Sequence, residues 1–189
     1  MSDQAFTVRR ANASDAADIA QLAAATFAQA CPPHTSDANI AAHIETALSP
    51  SQFEIDLTTD GTVFYVAEPD EGQELIGYAM LVRGVAVPGV KERAEPTEPR
   101  SNPVELRRIY VLASWQGRGV ADALMECSLH HSRTHGYATI WLGTNEANTR
   151  AMSFYERNGF AIVGARNFNV GDAIECDHVL VRHIDPPAE

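Results

Sequence analysis

Apolar and polar residues alternate between two periods along this chain, and the switch points mark its elements. Phe6 to Ala11 reads as a short strand. Ile19, Leu22, Ala23, Thr26, Phe27 and Ala30 then fall on one helical face, with Ser14 as the expected cap and Pro32-Pro33 as the stop. Ile40, Ile44, Ala47 and Leu48 form the stripe of a second helix starting at Ser36, and Ser51 to Leu57 a third, short one. Two runs of β-formers follow, Val63 to Ala67 and Leu75 to Val82, around a turn holding Pro69, Asp70, Glu71 and Gly72. They read as a hairpin.

Residues 84–103 show no period and carry four prolines, so they are expected to be a loop that either covers a cleft or lies on the surface. Regularity then returns. Val104 to Leu112 is a predicted strand, Gly117 to His135 a helix, Ala138 to Leu142 a strand and Asn148 to Arg157 a helix stopped by Asn158-Gly159. Val120, Ala123, Leu124, Cys127 and Leu129 are the expected apolar side of the first of these helices. Phe160 to Val163 opens another strand and Ile174 to His183 forms the last. Strand–helix–strand units require parallel pairing, and the hairpin requires antiparallel pairing. The expectation is one α+β domain over residues 6–184 with a mixed, mostly antiparallel sheet, and a frayed tail at 185–189.

Composition narrows the function. The chain has 189 residues, 45% hydrophobic and 21% charged, which argues against disorder of its body. Its 25 acidic against 14 basic side chains give a net charge of −11. That disfavours a nucleic-acid partner and suits a cationic substrate, or serves solubility alone. Cys31, Cys127 and Cys176 are scattered, which argues against disulfides and structural zinc; Cys127 and Cys176 are expected to be buried as small hydrophobes. There is no apolar stretch of membrane-spanning length, and Met1 to Ala5 lacks signal-peptide character. A cytoplasmic protein with no membrane partner is expected.

The chemistry concentrates where the strand ending near Leu112 runs into Gln116-Gly117-Arg118-Gly119-Val120-Ala121 and then into a helix. The first N–H groups of a helix lack intrahelical partners and carry partial positive charge, so they can cradle a phosphate. Gly117 and Gly119 permit close backbone approach, Ala121 is small, and Arg118 adds a cation. The loop is neither a Walker A loop nor a G-x-G-x-x-G dinucleotide fingerprint.

Residues Glu105 to Met125 resemble the acetyl-coenzyme A signature of the GNAT superfamily of N-acetyltransferases, in which Q/R-x-x-G-x-G/A holds the pyrophosphate. Asn148-x-x-Ala151-x-x-Phe154-Tyr155-x-x-x-Gly159-Phe160 is similar to the superfamily's second cofactor motif. The resemblance spans most of the chain from Ala11 to Ile184. It implies a three-layer GNAT-type fold and acetyl-CoA as co-substrate. It also implies cofactor contacts from Ile109, Tyr110, Val111, Gln116, Gly117, Arg118, Gly119, Val120, Ala121 and Asn148, the N–H of Val111 polarising the thioester. Asn148 has a competing role as a helix cap. The stretch from Gly164 to Asp177 and the Glu105-to-Val111 strand resemble a bacterial subgroup that includes spermidine/spermine acetyltransferases, which implies a polyamine acceptor.

A primary amine with pKa about 10.4 is neutral in only about one molecule in 2,500 at pH 7, so a group that takes its proton is expected. Glu105 is the expected base, acting through water; alternatively it pairs with a basic neighbour. Strand alternation puts Glu105, Arg107, Ile109 and Val111 on one face, before any bulge. Tyr155 is implied as the acid that protonates the departing sulfur, the alternative being a core tyrosine. Asp172 and Asp177 are expected to receive a cationic amine, or to serve a turn at Gly171-Asp172. Trp141 is expected in the core. His131 and His135 lack the Glu of H-E-x-x-H, so a solvated helix face is expected there and no metal. A small-molecule amine acceptor is the first reading, a protein N-terminus or lysine the second, and a non-catalytic CoA sensor the third. A homodimer is expected by analogy only.

Overall fold

The computed structural model describes residues 5–31, 34–72, 74–88, 102–170 and 173–185. In chain order these form β1 (Phe6–Arg10), α1 (Ala16–Ala30), α2 (Asp37–Ala47), α3 (Pro50–Thr58), β2 (Thr62–Pro69), β3 (Gly77–Arg83) and β4 (Pro103–Val111). Then come α4 (Val120–Thr134), β5 (Thr139–Asn145), α5 (Thr149–Arg157), β6 (Ala161–Val170) and β7 (Ala173–His183). The strands make one sheet in the order β1-β2-β3-β4-β5-β7-β6. Among the described residues, only β4 and β5 pair in parallel. The mixed, mostly antiparallel α+β sheet expected from the sequence is present.

Helices cover both faces. One apolar cluster joins Val120, Leu124, Met125 and Leu129 of α4 and Tyr155 of α5 to Leu81, Leu106 and Ile140 of the sheet. The other joins Ile19, Ala23 and Phe27 of α1 and Phe53 of α3 to Phe64, Tyr78 and Met80. Burying both sheet faces in this way is the main stabilising term.

Several local expectations change. Ser14 does not cap α1: it sits inside a 3-10 turn, Ala13–Asp15, that leads into the helix and is itself capped by Asn12. Asn12 Oδ1 accepts from the Ser14 N–H at 2.9 Å, and Asp15 Oδ2 accepts from the Asn12 N–H at 2.8 Å. That reciprocal box also draws Ala13–Asp15 into a 3-10 turn. Helix α4 begins at Val120, three residues later than expected, because Gly117 and Gly119 hold left-handed φ values of 79° and 83°. Its buried stripe runs through Val120, Leu124, Met125, Ser128, Leu129 and Ser132, with Cys127 only half-buried. Cys176 is exposed rather than buried, because β7 alternation turns it away from the face that buries Glu175 and Asp177.

A bulge reverses the expected phase of β4. Met80 pairs with Arg108 while Leu81 pairs with Leu106, so Arg107 is the extra residue. Leu106, Ile109 and Val111 therefore pack on the α4 side. Tyr110 packs on the α1 side, and Arg108 stacks over Phe53 there. Glu105 does not share a face with Ile109 and Val111.

The histidine pair also differs. His131 is buried and stacked on His135 with ring centroids 3.9 Å apart, and its Nδ1 lies 3.3 Å from the Tyr65 hydroxyl. Burial first, then His135, pushes His131 down to about 4. Among the described residues no His/Cys/Asp/Glu group is arranged to hold a metal, and no helix is long and apolar enough to cross a membrane.

Candidate active site

The site is built where two parallel strands part. β4 and β5 pair only from Pro103–Thr139 to Glu105–Trp141. Beyond that, β4 runs on to Val111 and β5 to Asn145 with a cleft of about 640 Å³ between them. Leu112 donates its N–H to the Ile76 carbonyl of the β3 side at 2.9 Å. Strand alternation therefore aims the N–H of Val111 the other way, into the opening.

The glycine loop closes one end. A Cβ added at Gly117 or Gly119 would meet nothing within 4 Å, so the space above the loop is open. Gln116 ties the loop down: its Nε2 donates to the Val111 carbonyl at 3.2 Å, and its Oε1 accepts from Arg150 of α5. Ile109, Tyr110, Val111, Gln116, Gly117, Gly119, Ala121 and Asn148 line the cleft. Val120 points its side chain into the core, and Arg118 lies over the Trp115 ring at 5.2 Å. Only the backbone of Val120 is available to a ligand. Asn148 Oδ1 accepts from the Ala151 N–H at 3.1 Å, so it caps α5 and faces the cleft at once. This open N-terminal turn with two left-handed glycines fits a pyrophosphate, and the unpaired edge of β4 fits an amide-bearing arm.

Tyr155 stands on the opposite wall, packed edge-on against Phe154 and Phe160. Burial pushes its phenol well above the ordinary value, and the nearby Tyr110 and Asp177 push it further. It holds its proton at neutral pH. Tyr110, half-buried, is pushed up to about 12, chiefly by desolvation.

Three carboxylates sit in or behind the cleft, with residue exposures of 3% for Glu105, 6% for Glu175 and 5% for Asp177. Glu105 Oε2 accepts from Arg107 Nε and Nη2 at 2.9 and 2.7 Å, and Oε1 accepts from Arg166 Nη1 at 3.2 Å. Asp177 lies opposite Arg166 in the β6–β7 register and accepts from its Nε at 3.3 Å. Burial holds the Asp177 carboxyl above the usual range in spite of Arg166. Glu175 accepts from Thr35 at 3.1 Å and Asn145 at 3.3 Å, with His34 Nε2 also 3.1 Å away.

Asp177, Glu175, Tyr155, Tyr110 and the glycine loop thus line one cleft. Glu105 lies on the wall of a second, adjoining cavity instead. Asp172 lies outside the described residues. Trp141 is buried as expected, but it is also a shelf: Arg166 lies 5.4 Å over its ring. Sequence reasoning missed Glu175 and Arg166. Glu175 was readable, since two carboxylates two apart on a strand share a face with each other. Arg166 left no local signal.

A model of the acetyltransferase (GNAT) family matches residues 22–160. An uncharacterised N-acetyltransferase of Mycobacterium tuberculosis is 36% identical over 171 residues, 90% of this chain and 99% of its own. Another, from Lactobacillus delbrueckii subsp. lactis, is 26% identical over 166 residues, 88% of this chain and 90% of its own. The PaiA N-acetyltransferase of Thermoplasma acidophilum, solved in complex with coenzyme A, shares the fold at a TM-score of 0.73 and 16% identity, covering 95% of this chain and 99% of that one. With its parted strands and glycine loop, this chain belongs to the GNAT family of acetyl-CoA-dependent N-acetyltransferases.

Proposed function

We propose that the acceptor is the primary amine of a small molecule, and that it attacks directly, without an acetylated enzyme residue. The observation that carries this is the meeting of Tyr155, Asp177 and the Val111 backbone edge in one cleft. Acetyl-CoA supplies the acetyl group as a thioester. The glycine loop and the first turn of α4 hold its pyrophosphate, and the free edge of β4 holds its arm. Val111 donates its N–H to the charge that develops on the carbonyl oxygen. Tyr155 holds the proton that the departing sulfur needs.

For the amine proton there are two candidates. Glu105, the base expected from the sequence, has both oxygens occupied by guanidinium N–H groups. Asp177 shares the cleft with Tyr155, and burial holds it above the usual carboxylate range. We assign the proton to Asp177 and give Glu105 the role of fixing Arg107 and Arg166. A small acceptor fits the volume of the second cavity, about 400 Å³. Polyamines fall within this small-amine class.

The test is thiol release from acetyl-CoA with a panel of polyamines, amino acids, aminoglycosides and short peptides. Turnover with a small amine, cut about 10²-fold or more by Tyr155→Phe while acetyl-CoA affinity holds, is expected. Turnover confined to peptides would overturn the small-acceptor reading.

A further inference from the structure

The second cavity opens on the side of β4 away from the glycine loop. Glu105, Arg108 and Tyr110 of β4, Phe27 and His43 of the α1–α2 layer, and Trp141 of β5 contribute to its wall. Phe27, Arg107, Arg108, Tyr110 and Arg166 line both this cavity and the main cleft, so the two meet at the reaction centre. An acceptor that reaches its amine past these residues leaves its remainder in the second cavity.

Among the described residues, the charge of that wall is opposite to that of the chain. Three guanidiniums, Arg107, Arg108 and Arg166, face a cavity whose one carboxylate among the described residues is Glu105. Their other counter-ions among the described residues include two that lie outside that wall. Arg108 has Asp56 at 3.7 Å, on α3, and Arg166 has Asp177 at 3.3 Å, which faces the main cleft. Arg107 spends Nε and Nη2 on a single Glu105 oxygen. Its Nη1 has no hydrogen-bond partner among the described residues, and its side chain is 39% exposed. A guanidinium held along one edge keeps donors on the other, in the planar geometry that matches an oxyanion. His43 adds no positive charge at neutral pH, since burial and then Arg108 hold it below its usual range.

Resting on the small-amine reading above, we propose that the acceptor carries an anionic group, carboxylate or phosphate, on the same molecule as its primary amine, and that Arg107 binds it in the second cavity. The acceptor is dipolar. Its amine goes to Asp177 and its anion to the arginine wall. A polyamine would place a second ammonium against guanidiniums, so the cavity selects against it. The net charge of −11 bears on solubility and not on this wall.

The test uses matched pairs of amines in the thiol-release assay on the full chain: amino acids against the amines left by removing their carboxylate, phosphoethanolamine against ethanolamine, and spermidine alone. In at least one pair the anionic member should have a kcat/KM at least tenfold higher, the size expected of one charge-assisted contact. Which pair shows it tells carboxylate from phosphate. Arg107→Gln should collapse that ratio to below about threefold by raising KM for the anionic member, and Arg107→Lys should restore part of it. A preference for spermidine or for the neutral members overturns the proposal. So does an Arg107→Gln variant that lowers both members of a pair equally, since that marks a structural role through Glu105. Acetyl-CoA binding without turnover of any anionic amine also overturns this acceptor class, and leaves the cofactor site standing. Failure to bind acetyl-CoA at all would instead sink the reading of the site.

Discussion

Arg166 of β6 reaches across β7 and β5 to place its Nη1 3.2 Å from Glu105 Oε1 on β4. Gly143 of β5 makes the crossing possible, because a Cβ there would collide with the guanidinium. One side chain thereby joins Glu105, Asp177 and the Trp141 ring, and it braces the sheet where β4 and β5 separate.

Gly143→Ala should displace Arg166 and leave two buried carboxylates each short of a partner. The expected loss of stability is about 1–3 kcal/mol, since the arginine end can retreat but its ion pairs cannot follow. Urea denaturation reads it. An unchanged midpoint would show that Arg166 finds an equally good position elsewhere.

Gly119→Ala tests the loop without touching the reaction centre. The residue sits at φ 83°, where a Cβ costs about 1–2 kcal/mol, and nothing nearby blocks the added carbon. The loop should relax away from the shape that receives a pyrophosphate. KM for acetyl-CoA is expected to rise about tenfold, with kcat changed much less. An equal fall in kcat would mean that the loop also positions the thioester.

The elements themselves were legible because their periods are strong and their ends are marked by glycine, proline and caps. The glycine loop was legible because its shape depends on local backbone, with left-handed glycines at 117 and 119. The side of the sheet that Glu105 faces was not. The bulge at Arg107 carries no glycine or proline to announce it, and it turns alternation from that point on. The pairing of Glu105 with Arg166 joins residues 61 positions apart and depends on the order β4-β5-β7-β6, which no local pattern encodes. The expected alternative, Glu105 paired with a basic neighbour, is met by Arg107, and Arg166 is the partner that no local pattern announces.

Acid should weaken the first turn of the fold before the site. Asp15 accepts from Arg9 Nη1 and Nη2 at 2.9 and 2.8 Å and from the Asn12 N–H at 2.8 Å. Chiefly through Arg9, its carboxyl is held below the ordinary 3.8. Below that ordinary value the unfolded chain takes up a proton that the folded chain refuses. The stabilisation is therefore whole above about pH 4 and is lost as pH falls through the depressed value. Asp15→Asn should cost about 1–2 kcal/mol at pH 7, discounted because Arg9 is partly exposed, and less at pH 2. Thermal melts at the two pH values check this.

The choice between Asp177 and Glu105 as proton acceptor turns on pH. Burial raises the Asp177 carboxyl, against the pull of Arg166 and with Glu175 adding to the rise. A base works only when ionised, so kcat/KM should climb as pH rises through that raised value, in addition to the climb from the amine itself. The same shift acts on stability with the opposite sense. Between 3.8 and the raised value the folded state holds the extra proton, so stability declines as pH rises across that window. Asp177→Asn should flatten both trends and lower kcat/KM about 10²-fold. Glu105→Gln should keep the climbing limb and act on the acceptor's KM, since it frees Arg107 and Arg166 to move. If Glu105→Gln removes the limb and Asp177→Asn keeps it, the proton goes to Glu105 after all, and the two guanidiniums must then release that carboxylate during turnover.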